Sequence, residues 1–242
     1  MSATHSHLIP QSYKRWSGAE SFDAIVVGSG IGGLGAAALL TKHGKKHVLV
    51  LERHYAIGGF THTFHRPGYE WDVGVHYLGD LEPGGMLRSV FDEVSDAKLE
   101  WADMGPVYDR VIIGDETFDF PKGEENLKAA LVGRFPDEAG AIERYFELVH
   151  RVQSCLSRYF TEKALPPFLS MSLGPFLRRA FLRYSDRTLA QVLDGLTGNK
   201  QLKAVLSAQC GDYGLPPSEA SFAIHAMVAS HYFEGAYYPI GG

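Results

Sequence analysis

Residues 22–52 read FDAIVVGSGIGGLGAAALLTKHGKKHVLVLE, and no other stretch restricts the fold of this 242-residue chain as tightly. A Val/Ile run leads into Gly28, Gly30 and Gly33, an alanine-rich segment follows, and a second apolar run ends on Glu52. Short apolar runs bounded by glycines and charged turns read as parallel strands, here over residues 22–27 and 47–52, joined by a helix that starts near Ile31. Such a β-α-β unit needs a tight turn after its first strand, which Gly28 permits, and close helix-to-sheet packing, which Gly33 permits.

The spacing also has a chemical meaning. Backbone N–H groups in the first turn of a helix have no intrahelical partner and favour an anion. Ser29, Gly30, Ile31 and Gly32 therefore form a candidate diphosphate cradle, with Gly30 admitting a close backbone approach. Glu52 is placed to accept hydrogen bonds from ribose hydroxyls and to repel a ribose phosphate, which fits FAD or NAD and disfavours NADPH at this site. The plainer reading, a glycine-rich turn in an ordinary parallel sheet, leaves the concurrence of two strands, a small-residue helix and the acid unexplained.

Three further segments carry a resemblance: RHYAIGGFTHTF at residues 53–64, GYEWDVGVHYLG at 68–79, and LPPSEASFAIHAMVASHYFEGAYYPIGG at 215–242. On these motifs the chain resembles the phytoene desaturase, carotenoid isomerase and retinol saturase family of flavoproteins, itself related to the amine oxidases. The likeness extends over nearly the whole chain, and HYFEGAYYPIGG is its most specific part, pointing to the retinol saturase branch. It implies an α/β fold, a Rossmann-like FAD-binding domain with a mainly helical α+β substrate domain. It also implies that Gly58 and Gly59 lie close to the flavin diphosphate. Arg53, Phe60 and Thr61 are grouped with them as candidate cofactor-binding residues. Many relatives carry Arg or Lys where this chain has Phe60, so no cationic clamp is assigned there. The segment holding Asp72, Gly74 and His76 is implied to return toward the isoalloxazine. Family chains come back late to the nucleotide domain through a closing strand and helix, and a chain stopping on YPIGG is expected to be an incomplete member.

The activity the resemblance implies is flavin-dependent redox chemistry on the carbon–carbon double bonds of a conjugated polyene lipid, retinol or carotenoid-like. Reduction leads, with hydride from reduced flavin N5 and a proton from a side chain or water. Desaturation or cis–trans isomerisation is the alternative, and a noncatalytic, truncated lipid binder is a reading of a different class. His76, His231 and Tyr232 are the candidate catalytic residues, with His225, Glu234, Tyr237 and Tyr238 nearby in sequence or motif. Each also has a structural reading, as a hydrogen-bonded histidine or a core tyrosine. NAD(P)H is a candidate external donor, and the substrate requires a long apolar pocket.

Composition sets the outer limits. A net charge of −5 offers no broad cationic surface for nucleic acid. Cys155 and Cys210 make no motif and read as buried thiols. No metal cluster is expected: His5 and His7 stand two apart in a polar tail that reads as disordered. Neither a signal peptide nor a membrane span is evident, which favours a cytoplasmic protein. Residues 165–181, LPPFLSMSLGPFLRRAF, mix aromatics with Arg178 and Arg179 and are a candidate for peripheral membrane contact, although prolines and a glycine interrupt them and packing between helices is the plainer reading.

Three regions follow: a flexible tail at 1–20, the FAD-binding region at 21–104, and an incomplete substrate domain at 105–242. Residues 69–77 should be extended or hairpin-like and 86–94 a short helix. Residues 107–113 and 117–120 should pair around Gly114 and Asp115. Pro136 should open a long helix to about Tyr159, with Ile142, Phe146, Val149 and Val152 on one face. Later helices are expected over 189–196, 200–208 and 218–232, the last placing His225 and Tyr232 on one face.

Overall fold

The computed structural model describes residues 12–16, 18 and 20–241. His5, His7 and most of the expected tail lie outside them. The chain forms two compact units, residues 1–64 and 65–242.

In the first unit, β1 (Ala24–Val27), α1 (Ile31–Lys42) and β2 (Val48–Leu51) make the expected β-α-β. The strands are parallel, in a register running from Ala24 opposite Val48 to Val27 opposite Leu51. The Asp23 carboxylate accepts from the His47 backbone N–H at 2.8 Å and ties the strand entrances together. Ahead of β1, within the stretch expected to be flexible, Tyr13–Arg15 forms one 3-10 turn and the Trp16 ring lies 6.4 Å from that of Phe22.

From β3 (Thr63–Arg66) and β4 (Tyr69–Asp72) the chain runs through α2 (Met86–Ser95), β5 (Trp101–Asp103), β6 (Val107–Ile113) and β7 (Glu116–Pro121). Then come α3 (Glu124–Arg134), α4 (Ala139–Ala164), α5 (Pro167–Ser185), α6 (Leu189–Leu196), α7 (Lys200–Leu206), α8 (Cys210–Tyr213), α9 (Phe222–His231) and β8 (Tyr237–Pro239). α4 is the spine of the second unit: Ile142, Phe146, Val149 and Val152 recur at helical spacing and are all but fully buried. Around them pack Phe118 and Phe120 of β7, Leu189 and Leu193 of α6, Leu202 and Val205 of α7, and Phe222 and Ala226 of α9. Thr188 and Gln191 form a reciprocal capping box at the start of α6.

The two compact units divide at 64/65. β5 pairs antiparallel with β8, Trp101 opposite Pro239 and Asp103 opposite Tyr237, and Leu78 exchanges two backbone hydrogen bonds with Tyr237, at 2.9 and 2.7 Å. Residues 69–104 are thus tied to the far end of the chain, a pairing that local periodicity does not encode. Other differences are smaller. Within residues 165–181, Leu165 and Pro166 separate α4 from α5, and α5 then runs on through Gly174 and Pro175. α9 begins at Phe222, and Tyr232 lies just past its end, so Tyr232 and His225 do not share a helical face. Cys155 and Cys210 are half-buried rather than buried. No helix among the described residues is long and apolar enough to cross a membrane.

Candidate functional site

The loop between β1 and α1 sorts its glycines by task. Gly28 turns at φ 98°, a conformation side chains resist. A Cβ on Gly33 would overlap the Gly28 carbonyl oxygen and press on Val26, so Gly33 is required by packing alone. Gly59 likewise has no room, its Cβ position lying 2.9 Å from the Gly30 Cα. At Gly30 and Gly32, in contrast, a Cβ would meet only open space. Gly30 is also the N-cap of α1 and offers no side chain to satisfy the first N–H groups of the helix, which stay free for an anion.

The second glycine pair is built into this loop. Gly58 N–H donates to the Ser29 carbonyl at 3.1 Å, and Gly30 and Gly58 form an isolated parallel bridge. Ser29 is the hub: its hydroxyl accepts from Gly58 N–H at 3.1 Å and donates to Glu52 Oε2 at 2.6 Å, while its own N–H reaches the same oxygen at 2.8 Å. The His54 N–H donates to Glu52 Oε1 at 2.7 Å. These donors, His54 first and then the Ser29 hydroxyl and N–H, hold the Glu52 carboxyl down at about 2. Glu52 is therefore a fixed, ionised acceptor. Ser29 is only 1% exposed, so its side chain orients Glu52 instead of facing a ligand. Arg53, Phe60 and Thr61 are exposed, and the Thr61 hydroxyl donates to the Gly58 carbonyl at 2.7 Å. The open glycine positions, the uncapped helix start and the ionised Glu52 together fit a dinucleotide whose ribose is not phosphorylated.

Asp72, Gly74, His76, His231 and Tyr232 all belong to the second unit. The Asp72 carboxylate accepts from the Tyr238 hydroxyl at 3.0 Å, and His76 is largely exposed with Nδ1 3.8 Å from Asp72. Tyr232 is buried in a ring cluster, 5.2 Å from Tyr77 and stacked at 5.8 Å on Tyr108, and its hydroxyl donates to the Tyr77 carbonyl at 3.4 Å. Burial, with the Asp212 and Asp109 carboxylates, pushes the Tyr232 phenol up, and burial followed by Asp109 does the same to Tyr77. Crowding by the protein and by Asp109 raises Asp212, even though its outer edge remains exposed. His231 has different surroundings: burial lowers it, with Asp80 and Glu82 acting the other way. The structure brings Tyr232 together with Tyr77, Tyr108 and the two aspartates, a grouping that sequence reasoning missed because no spacing links these residues.

His225 has a purely internal environment. It is fully buried, with Tyr145 Oη 2.8 Å from Nε2 and Tyr213 Oη 3.0 Å from Nδ1. Neutral imidazole satisfies this pair by donating from one nitrogen and accepting at the other. The cavity lined by Phe120, Leu131, Tyr145, Phe146 and Gln209 measures about 10 Å³, room for a single water. Among the described residues no three His, Cys, Asp or Glu side chains gather as a metal would require.

Comparison with known proteins agrees with this geometry. The family model described as NAD(P)-binding Rossmann-like domain matches residues 26–94. All-trans-retinol 13,14-reductase of Rattus norvegicus is 41% identical over 92% of this chain and 38% of its own length, and its Danio rerio counterpart gives the same figures. The chain thus spans well under half the length of these relatives. Among solved structures, a redesigned putrescine oxidase superposes with a TM-score of 0.56 at 19% identity, covering 91% of this chain and 46% of that one, a likeness of fold. The chain is a relative of the N-terminal region of the all-trans-retinol 13,14-reductase, phytoene desaturase and carotenoid isomerase family of FAD-dependent oxidoreductases.

Proposed function

We propose that this chain binds FAD through the β1–α1 loop and belongs to an enzyme that reduces a carbon–carbon double bond of a conjugated polyene lipid, retinol or carotenoid-like. The observation that carries the cofactor assignment is the Gly58–Ser29–Glu52 hydrogen-bond chain beside an uncapped helix start with open glycine positions. Gly30, Ile31, Gly32 and Gly33 would present N–H groups to the diphosphate, with Gly58 and Gly59 closing the loop over it. Glu52 would accept from the adenosine ribose, and its fixed charge excludes a ribose phosphate. FAD supplies hydride chemistry when bound.

The protein's own share of such a reduction is a proton at the second alkene carbon. Tyr232 is the side chain we assign to hold it: its phenol is protonated across the physiological range, and burial, then Asp212 and Asp109, push it further up. Tyr77 and Tyr108 fix its ring, and His76 stands at the exposed edge beside Asp72. The retinol reductase name of the Rattus norvegicus and Danio rerio relatives supports reduction over desaturation or isomerisation.

To test this, the chain is loaded with FAD, reduced anaerobically and mixed with all-trans-retinol or a linear carotene. The expected result is loss of polyene absorbance with a product two mass units heavier, suppressed in Tyr232→Phe. A product of unchanged mass would replace reduction by isomerisation. Retention of the polyene with no reoxidation of bound flavin would replace catalysis by lipid binding.

A further inference from the structure

Gln209 is a buried side chain with an unmet donor. It stands between α7 and α8, is 6% exposed, and among the described residues no acceptor reaches its Nε2. A buried amide N–H left without a partner is uncommon in a folded chain, because it has given up its water and gained nothing in exchange.

Gln209 lines the cavity of about 10 Å³ together with Tyr145 of α4, and Phe120, Leu127, Phe146 and Phe233 supply carbon walls. That volume admits one water and nothing larger. Cavities walled by hydrocarbon alone stay dry, but here two polar side chains line the same space. The Tyr145 hydroxyl lies 2.8 Å from His225 Nε2. That contact uses either the phenol proton or one lone pair, according to the tautomer of His225. In both cases the hydroxyl keeps one further hydrogen bond to give or to accept. Water serves both groups at once, accepting from the amide and pairing with the hydroxyl in whichever sense is left open. A cation would face an N–H donor, and an anion would be stranded among phenyl walls.

We propose that this cavity is the binding site of one structural water, which accepts from Gln209 Nε2 and hydrogen-bonds the Tyr145 hydroxyl. The water closes a circuit. From Tyr145 the contacts run through His225 to Tyr213 Oη, 3.0 Å from Nδ1. Tyr213 is the last residue of α8, and Gln209 is its N-cap. This helix, four residues long, is thus held at both ends by one buried network shared with α4 and α9. It also carries Asp212, whose carboxylate acts on the Tyr232 phenol, so the water fixes the stretch of backbone that shapes the surroundings of that tyrosine. The assignment is independent of the cofactor and of the polyene chemistry.

Nuclear Overhauser spectroscopy of the isotope-labelled chain tests the site without any variant. The Gln209 side-chain amide protons, assigned by triple-resonance spectroscopy, should show cross-peaks to water with the sign of a molecule that tumbles with the protein, which surface hydration exchanges too fast to give. Oxygen-17 relaxation dispersion then counts the long-lived waters. Gln209→Met keeps the length of the side chain and Tyr145→Phe keeps the ring, so each removes polar atoms with little change of packing volume. Each should hold one long-lived water fewer than the parent. The double variant should also hold one fewer, because a water shared by two side chains is lost only once. Absence of the cross-peaks from the folded parent, an unchanged count in either folded single variant, or a double variant that loses two waters would overturn the proposal.

Discussion

His225 makes stability depend on pH in a way whose size follows from its surroundings. In the unfolded chain an imidazole titrates near 6.5, whereas burial in the native state lowers this one to about 4. A native group that resists protonation leaves the unfolded state to bind the extra proton, so stability is intact above 6.5 and falls as the pH drops toward 4. Applying the linkage relation between those two values gives a loss of about 2 kcal/mol from pH 7 to pH 5. Three tryptophans make the assay selective. In a Trp16→Phe background the remaining indoles, Trp71 and Trp101, both report on the second unit. Urea unfolding at the two pH values, repeated with His225→Gln, cancels the contribution of every other titrating group. His225→Gln should be less stable at pH 7, because one tyrosine hydroxyl loses its partner, and should lose about 2 kcal/mol less than its parent on going to pH 5. Equal losses in the two proteins would refute the assignment of His225 as a buried neutral base.

Gly33→Ala should unfold the first unit, since its methyl group has main chain in its way, whereas Gly30→Ala should change stability by under about 1 kcal/mol and weaken FAD binding at least about tenfold; thermal melts and flavin titrations separate the two. Ser29→Ala removes the hydroxyl between Gly58 and Glu52 and should weaken FAD about tenfold without altering the second unit, read by quenching of flavin fluorescence. Glu52→Gln should reduce FAD affinity and narrow the discrimination against NADP⁺, and the parent's affinity should be flat from pH 5 to 9, because a carboxyl at about 2 is ionised throughout and loses its charge only as the pH falls toward that value. An affinity that halves across that range in the parent but not in Glu52→Gln would contradict the hydrogen-bonded carboxylate.

The β-α-β unit was legible in the sequence because everything that specifies it is local: two apolar runs, glycines at fixed spacing and an acid at the end of the second strand. Its finer logic was not. Gly30, Gly33 and Gly59 are the same letter, yet one faces open space and the other two face main chain. The Tyr232 environment was illegible for the opposite reason, since Tyr77 lies 155 positions away and only the folded chain brings them together. The same holds for the pairing of β5 with β8, which no local pattern encodes. In α5 the proline misled: the helix continues through the exposed Pro175, although that residue supplies no N–H to the backbone ladder. His225 stands in the 215–242 motif, but its buried hydrogen-bonded setting was not legible, because its partners Tyr145 and Tyr213 come from other helices.

The most direct measurement is the stoichiometry of retained flavin. The chain is incubated with FAD, desalted, and its visible spectrum recorded before and after denaturation, with the released cofactor identified by chromatography and Gly30→Leu carried alongside. Close to one equivalent of FAD in the parent and none in Gly30→Leu is the predicted result. Absence of retained FAD from a folded parent, or equal retention by both proteins, would contradict the assignment of the β1–α1 loop as the flavin site.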